Sequence, residues 1–273
     1  MIGGNQKTIY AIGPTDTIRE NKVFIYGRNG NPWSTSNAYA VVAGMHKASG
    51  TVTPEKRGNG YCARMDVSLD DVKAIGVINL KVLVNGTIFT GRTIEPIKSA
   101  KDPYQNIDFG VPFTRRPSAL MFDYKAVVSE ERTVTQATGS SSVKQIEGHD
   151  ECAVSLILQK RWEDADGNIH ALRVGTAYER IAKTQKEWVN GHTIPVHYGD
   201  ITRESFYHSS MKLDSQMRAM NSKGKIVPIQ EEGWASPDET PTHIILNFSS
   251  GIYEAFIGHA GNTFWVDNVK LVY

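Results

Sequence analysis

The chain has 273 residues and a mass of 30.2 kDa, enough to bury a sizeable core without disulfide or metal staples. Its 30 Lys and Arg against 29 Asp and Glu leave a formal charge of +1, which excludes the strong field expected of a partner for nucleic acid or an anionic membrane. A hydrophobic content of 40%, a charged content of 22% and a mean hydropathy of −0.35 describe a folded globular chain, and no run approaches the roughly 18 apolar residues needed to cross a bilayer.

Met1 to Lys7 contains no apolar stretch, so a signal peptide is absent or already removed. Residues 1–30 are polar and Gly-containing and read as an extension or linker, with 31–273 as a single domain. The dominant period is two. Tyr61, Ala63, Met65 and Val67 alternate with polar neighbours, and Ile78, Leu80, Val82 and Val84 do the same. Further strand-like runs cover residues 39–43, 86–90, 120–128, 154–162, 169–178, 193–198, 243–248 and 264–273. Ten such runs punctuated by Gly, Pro, Asn and Asp predict an all-β sandwich.

Between residues 163 and 168 an Asp-Gly pair at Asp166-Gly167 predicts a hairpin turn, with glycine free to take positive φ. The Asp164-x-Asp166-Gly167 pattern has its glycine too early for a calcium loop. Helical signal is confined to residues 69–75 and 179–188, read as short accessory turns. Residues 129–150 and 205–240 read as long excursions between strands, where binding commonly resides. Cys62 and Cys152 each sit in a strand-like run and fit either two buried thiols or a disulfide.

Asp267 is the most informative single residue. In the closing strand, strict alternation puts it on the same face as Trp265, Val269, Leu271 and Tyr273, where an ionised carboxylate needs a partner. Backbone N–H groups of a neighbouring loop would satisfy it, and so would a structural calcium ion. Zinc has little support: His192 and His197 are an odd number apart in an extended segment, and neither HExxH nor paired CxxC occurs. GxSxG, GxxxxGK[ST] and GxGxxG are absent too, so acyl transfer and nucleotide chemistry lack their usual signatures. Glycoside hydrolysis would need two carboxylates; Asp108, Asp123, Glu163 and Glu231 all qualify, and spacing singles out no pair. Trp33, Tyr104 and Trp234 lie among turn formers and polar groups, where a ring could stack on a sugar or plug the end of the sandwich.

Residues 241–250, a glycine-containing stretch 251–258, and Gly261-Asn262-Thr263-Phe264-Trp265-Val266-Asp267-Asn268 resemble the closing segment of the putative carbohydrate metabolism domain family of gut anaerobes, with its serine pair and Val-Asp-Asp strand. Gly86 to Gly91, Phe109 to Phe113, Arg116-Pro117 and Phe122 to Lys125 are similar to its middle, in the expected order. Asn268 departs from the pattern by replacing the second acid, and residues 205–236 form a longer stretch than expected. The resemblance implies a jelly-roll, galactose-binding-like sandwich in an extracytoplasmic protein of the cell surface or periplasm, possessing a lipid anchor in some precursors, with some members labelled glycoside hydrolases. It supplies no catalytic pair.

The reading is therefore a carbohydrate-binding or carbohydrate-metabolism protein that recognises a glycan through Trp33, Tyr104 and Trp234. It requires no cofactor, with a structural calcium at Asp267 as an option. A hydrolase on the same scaffold and a structural surface module are the alternatives.

Overall fold

A computed structural model describes residues 12, 15–19, 23–27, 31–42, 45–74, 78–94, 102–140, 142–213 and 216–273. Two sheets carry the fold. The larger has ten strands, whose main path runs Ile107–Phe109, Thr87–Thr93, His243–Ser249, Cys152–Glu163, Ile169–Ile181, Ile226–Trp234 and Arg218–Met220. The smaller has five, in the order Gln185–Pro195, Ala119–Val127, Thr263–Val272, Gly60–Asp66 and Val52–Arg57. Their facing sides form one apolar layer, because alternate residues of the central strands are hydrophobic. Leu120, Phe122, Ala126, Phe264 and Val266 from the smaller sheet meet Val154, Leu156, Leu158, Val174, Leu246 and Phe248 from the larger. Phe122 and Phe248 touch edge to face with centroids 5.2 Å apart. The all-β sandwich read from the sequence is the observed architecture.

A second apolar layer covers the other side of the larger sheet. Ile157, Ile169, Ala171, Ile229 and Ile245 pack there with Phe89 and Phe109. The 3-10 turn Pro103–Asn106 adds Tyr104 to this layer, and Asp102 Oδ1 accepts the Tyr104 N–H at its start.

The Asp-Gly hairpin forms as expected. Gly167 has φ of 89°, and Asp164 Oδ1 accepts the N–H groups of Asp166 and Asn168. Both cysteines are free and buried. Several other expectations need correction. The helical turns expected over 69–75 are not found at 69–74, and residue 75 lies outside the described residues: Ser68–Ala74 is a strand paired antiparallel with Ile78–Val84, since tertiary pairing outweighs a weak local preference. Residues 179–188 are not helical either: Ile169–Ile181 ends there and Gln185–Pro195 begins. The 205–240 excursion contains Ile226–Trp234, which pairs parallel with residues 169–173. Residues 129–150 hold the strands Thr133–Gln136, Thr138–Ser140 and Lys144–Glu147. Separately from these corrections, Thr15–Arg19 pairs antiparallel with Val23–Gly27 within residues 1–30.

Candidate functional site

On the five-stranded sheet, the residues that alternate with the core point to the open side. Phe264 and Val266 face the core, so Trp265 and Asp267 face outward. Alternation then breaks. Asn268 takes φ of 50°, and the pairing with Ala119–Val127 shifts register between Met121 and Asp123, so Val269 and Leu271 rejoin the core. The expected apolar company of Asp267 is corrected accordingly: Trp265 shares its face, and Val269 and Leu271 do not.

A straight cross-strand row results, with Lys125 opposite Trp265 and Trp265 opposite Arg64. Lys125 Nζ lies 4.4 Å from the Trp265 ring centre and 5.6 Å from that of Trp188. Glu55 joins them, accepting the Trp265 indole N–H at 2.8 Å, Lys125 at 3.1 Å and Arg64 at 3.2 Å. Burial alone would raise the Glu55 pKa, but these donors hold it below its ordinary value.

In the next row, Asp123 stands directly opposite Asp267. Arg57 ties them, with one terminal nitrogen 2.8 Å from Asp267 Oδ2 and the other 2.8 Å from Asp123 Oδ2. The second nitrogen also reaches Asn190 Oδ1 at 2.6 Å, and the guanidinium lies 3.8 Å over the Trp188 ring. Asp123 further accepts the Gly191 N–H at 2.7 Å and the Asn268 amide at 2.8 Å. Its burial would raise its pKa, yet Asn268, Gly191 and Arg57 keep it below the usual carboxylate value.

Arg57 belongs to one edge strand, while Trp188 and Asn190 belong to the opposite edge strand. A flat five-stranded sheet would hold its edges about 19 Å apart at the usual strand spacing. One arginine bridges them only because the sheet curls and its open face is hollow. The result is a trough floored by Trp265, Lys125, Asp123 and Asp267, and crossed by Arg57.

The sequence-nominated residues divide between this trough and elsewhere. Asp267 and Asp123 are in it. Trp33, half-buried, packs on the main core with its ring 6.4 Å from Phe248, whereas half-buried Tyr104 packs on the second layer 6.3 Å from Phe109. These two rings therefore lie on opposite sides of the larger sheet. Trp234 sits 5.6 Å from the Arg173 guanidinium. Glu231 pairs with Arg173 and accepts the Gln159 amide at 2.7 Å. Asp108 is held by Arg92 and the Met220 N–H, and Glu163 by Ser222. Sequence reading missed Trp188, Lys125 and Arg57, the first because its segment looked helical. A charged residue alternating with core positions was the available signal for Lys125.

Asp267 finds its partners in Arg57 and the Asn268 N–H. Among the described residues, no group of three or more His, Cys, Asp or Glu side chains converges as a metal would need, and no helix is long and apolar enough to cross a membrane.

The family model described as putative carbohydrate metabolism domain matches residues 15–272. The chain belongs to the putative carbohydrate metabolism domain family. Two crystal structures, each of a protein described as a putative glycoside hydrolase, share the fold of this family member. One, from Bacteroides thetaiotaomicron VPI-5482, is 19% identical with a TM-score of 0.52, and the match covers 100% of this chain and 72% of that one. The other, from Bacteroides vulgatus ATCC 8482, is 12% identical with a TM-score of 0.50 and coverage of 97% of both chains. No curated protein matches the chain. In this carbohydrate metabolism domain, Asn268 makes the amide contact to Asp123 described above, so the residue that departs from Val-Asp-Asp is a member of the trough.

Proposed function

We propose that this carbohydrate metabolism domain binds a glycan in the trough of its five-stranded sheet. The observation that carries the reading is the Asp123–Arg57–Asp267 bridge lying against Trp188. Carboxylate acceptors, guanidinium and amide donors and aromatic planes share one hollow surface, which are the contacts a saccharide uses. Affinity for a short oligosaccharide falls near Kd of about 10 μM to 1 mM, since a few hydrogen bonds and one or two stacked rings supply about −4 to −7 kcal/mol. Calorimetric titration with a panel of plant, host and bacterial glycans tests it. Binding weakened at least about tenfold by Trp188→Ala supports the trough. Binding lost instead with Trp234→Ala, Tyr104→Phe or Trp33→Phe returns the site to the loop aromatics, and no binding to any glycan ends the reading. A calcium ion at Asp267 would have to displace Arg57, and binding that disappears on chelation would reveal it. Fractionation of the producing cell tests an extracytoplasmic location, where polymeric glycans are met.

Hydrolysis is the second reading. It is favoured by Asp123 standing opposite Asp267, because directly opposed residues have Cβ atoms about 4.5–5.5 Å apart, the scale of carboxyl spacing in retaining glycosidases. The lowered pKa of Asp123 suits the nucleophile of such a pair and not its general acid. Release of reducing sugar from an oligosaccharide panel, abolished by Asp267→Asn, would favour the enzyme.

A further inference from the structure

A separate feature lies at the far end of the larger sheet. Leu172 and Val174 face the main core, and His170 and Trp162 continue that same face as cross-strand partners. Here the core has ended, for Trp162 is 42% exposed. Its indole lies nearly parallel to the His170 ring, with centroids 5.5 Å apart and an interplanar angle of 14°. The imidazole is fixed at both nitrogens: Nδ1 is 2.5 Å from Glu232 Oε1 and Nε2 is 3.2 Å from Asp164 Oδ2. One face of the indole is therefore backed by an immobilised ring, while the residue keeps 42% of its surface exposed. Carboxylates dominate the surroundings. Glu163, Asp164, Asp166 and Glu232 lie on this end of the sheet, against the His170 ring and Lys223, whose ammonium is bound to the Ala165 and Asp166 carbonyls.

We propose that Trp162 is the platform of a second saccharide site, one that takes a sugar bearing a free amino group. The exposed indole accepts the apolar face of the pyranose and attracts an ammonium through its quadrupole. Glu232, with its side chain 48% exposed, supplies the counter-charge. His170 has no donor to spare and acts as a positioning residue that holds the indole flat. The site belongs to the other sheet and does not rest on the trough reading.

Calorimetry with glucosamine oligosaccharides and with N-acetylglucosamine oligosaccharides of equal length is the test, because the two series differ in the ammonium and the acetyl group that replaces it. The glucosamine series is expected to bind about tenfold or more tightly, to weaken with added salt, and to lose about tenfold in affinity with Trp162→Ala. Glu232→Gln is expected to erode the preference for the free amine, and the fold of each variant is checked by its unchanged circular dichroism and melting temperature. Trp188→Ala should leave this binding untouched, which separates the two sites. Equal affinity for both series, no binding of either, binding indifferent to Trp162→Ala, or binding lost with Trp188→Ala would each overturn the proposal.

Discussion

Glu231 and Glu232 are adjacent in the chain and face opposite sides of the larger sheet. The parallel pairing with residues 169–173 slips between Ala171 and Leu172, and Glu232 is the extra residue. Glu231 thereby enters the second layer, where its side chain is fully buried and grips Arg173, itself 1% exposed. Glu231→Ala leaves that guanidinium buried without its carboxylate and is expected to cost about 3–5 kcal/mol. Glu232→Ala should cost far less. Urea unfolding of both variants makes the comparison, and equal losses would contradict the two-sided placement.

Arg57→Gln is expected to destabilise the protein by about 1–3 kcal/mol, since Asp123 and Asp267 lose their shared donor. Its pH signature is distinctive. Asp123 has a folded pKa below its unfolded value near 3.8, so its contribution is present above that value and is lost as pH falls through the folded one. Arg57→Gln should move the acid unfolding midpoint to higher pH. An unshifted midpoint would remove Arg57 from that account.

Asn268→Asp restores the second acid of the Val-Asp-Asp pattern and sets a carboxylate where an amide now donates to Asp123. Destabilisation of about 1–3 kcal/mol at neutral pH is expected, recovering as the pH drops and one carboxyl takes up a proton. Asn268→Gly should be milder, because glycine accepts the φ of 50° while losing only the amide contact. Thermal melts across pH order the two variants.

Two histidines impose opposite pH trends. Burial and the Arg161 charge push His243 down from 6.5 to about 4, so the unfolded chain takes up a proton that the folded chain refuses, and stability falls as pH drops between those values. His170 is raised by hydrogen bonds to Asp164 and Glu232; its contribution is complete below 6.5 and fades as pH climbs through the raised value. His243→Phe should flatten the acid side of the stability profile and His170→Gln the opposite side. Denaturant titrations at stepped pH would show if either limb is insensitive.

The run at 120–128 was legible because one face packs on the core while the other carries Asp123 and Lys125, and the run at 243–248 because a strand covered on both faces is apolar at nearly every position. What escaped depends on distant residues. Ser68–Ala74 carries two adjacent aspartates and becomes a strand only through its partner at 78–84. Ile226–Trp234 is recruited by a parallel neighbour more than fifty residues away. At the site, Asp267 could be marked as needing a partner, but the reversal of alternation at Asn268 depends on a left-handed backbone that a period of two does not reveal. Arg57 was invisible for a related reason: only the curl of the sheet carries it from one edge to the other.

That arginine makes the trough's tie-beam a part of its furniture. A guest lying over Trp188 must settle beside the guanidinium or evict it, and eviction would unclasp the two margins of the small sheet. Occupancy and the mechanical closure of that sheet are thus set against each other through a single side chain.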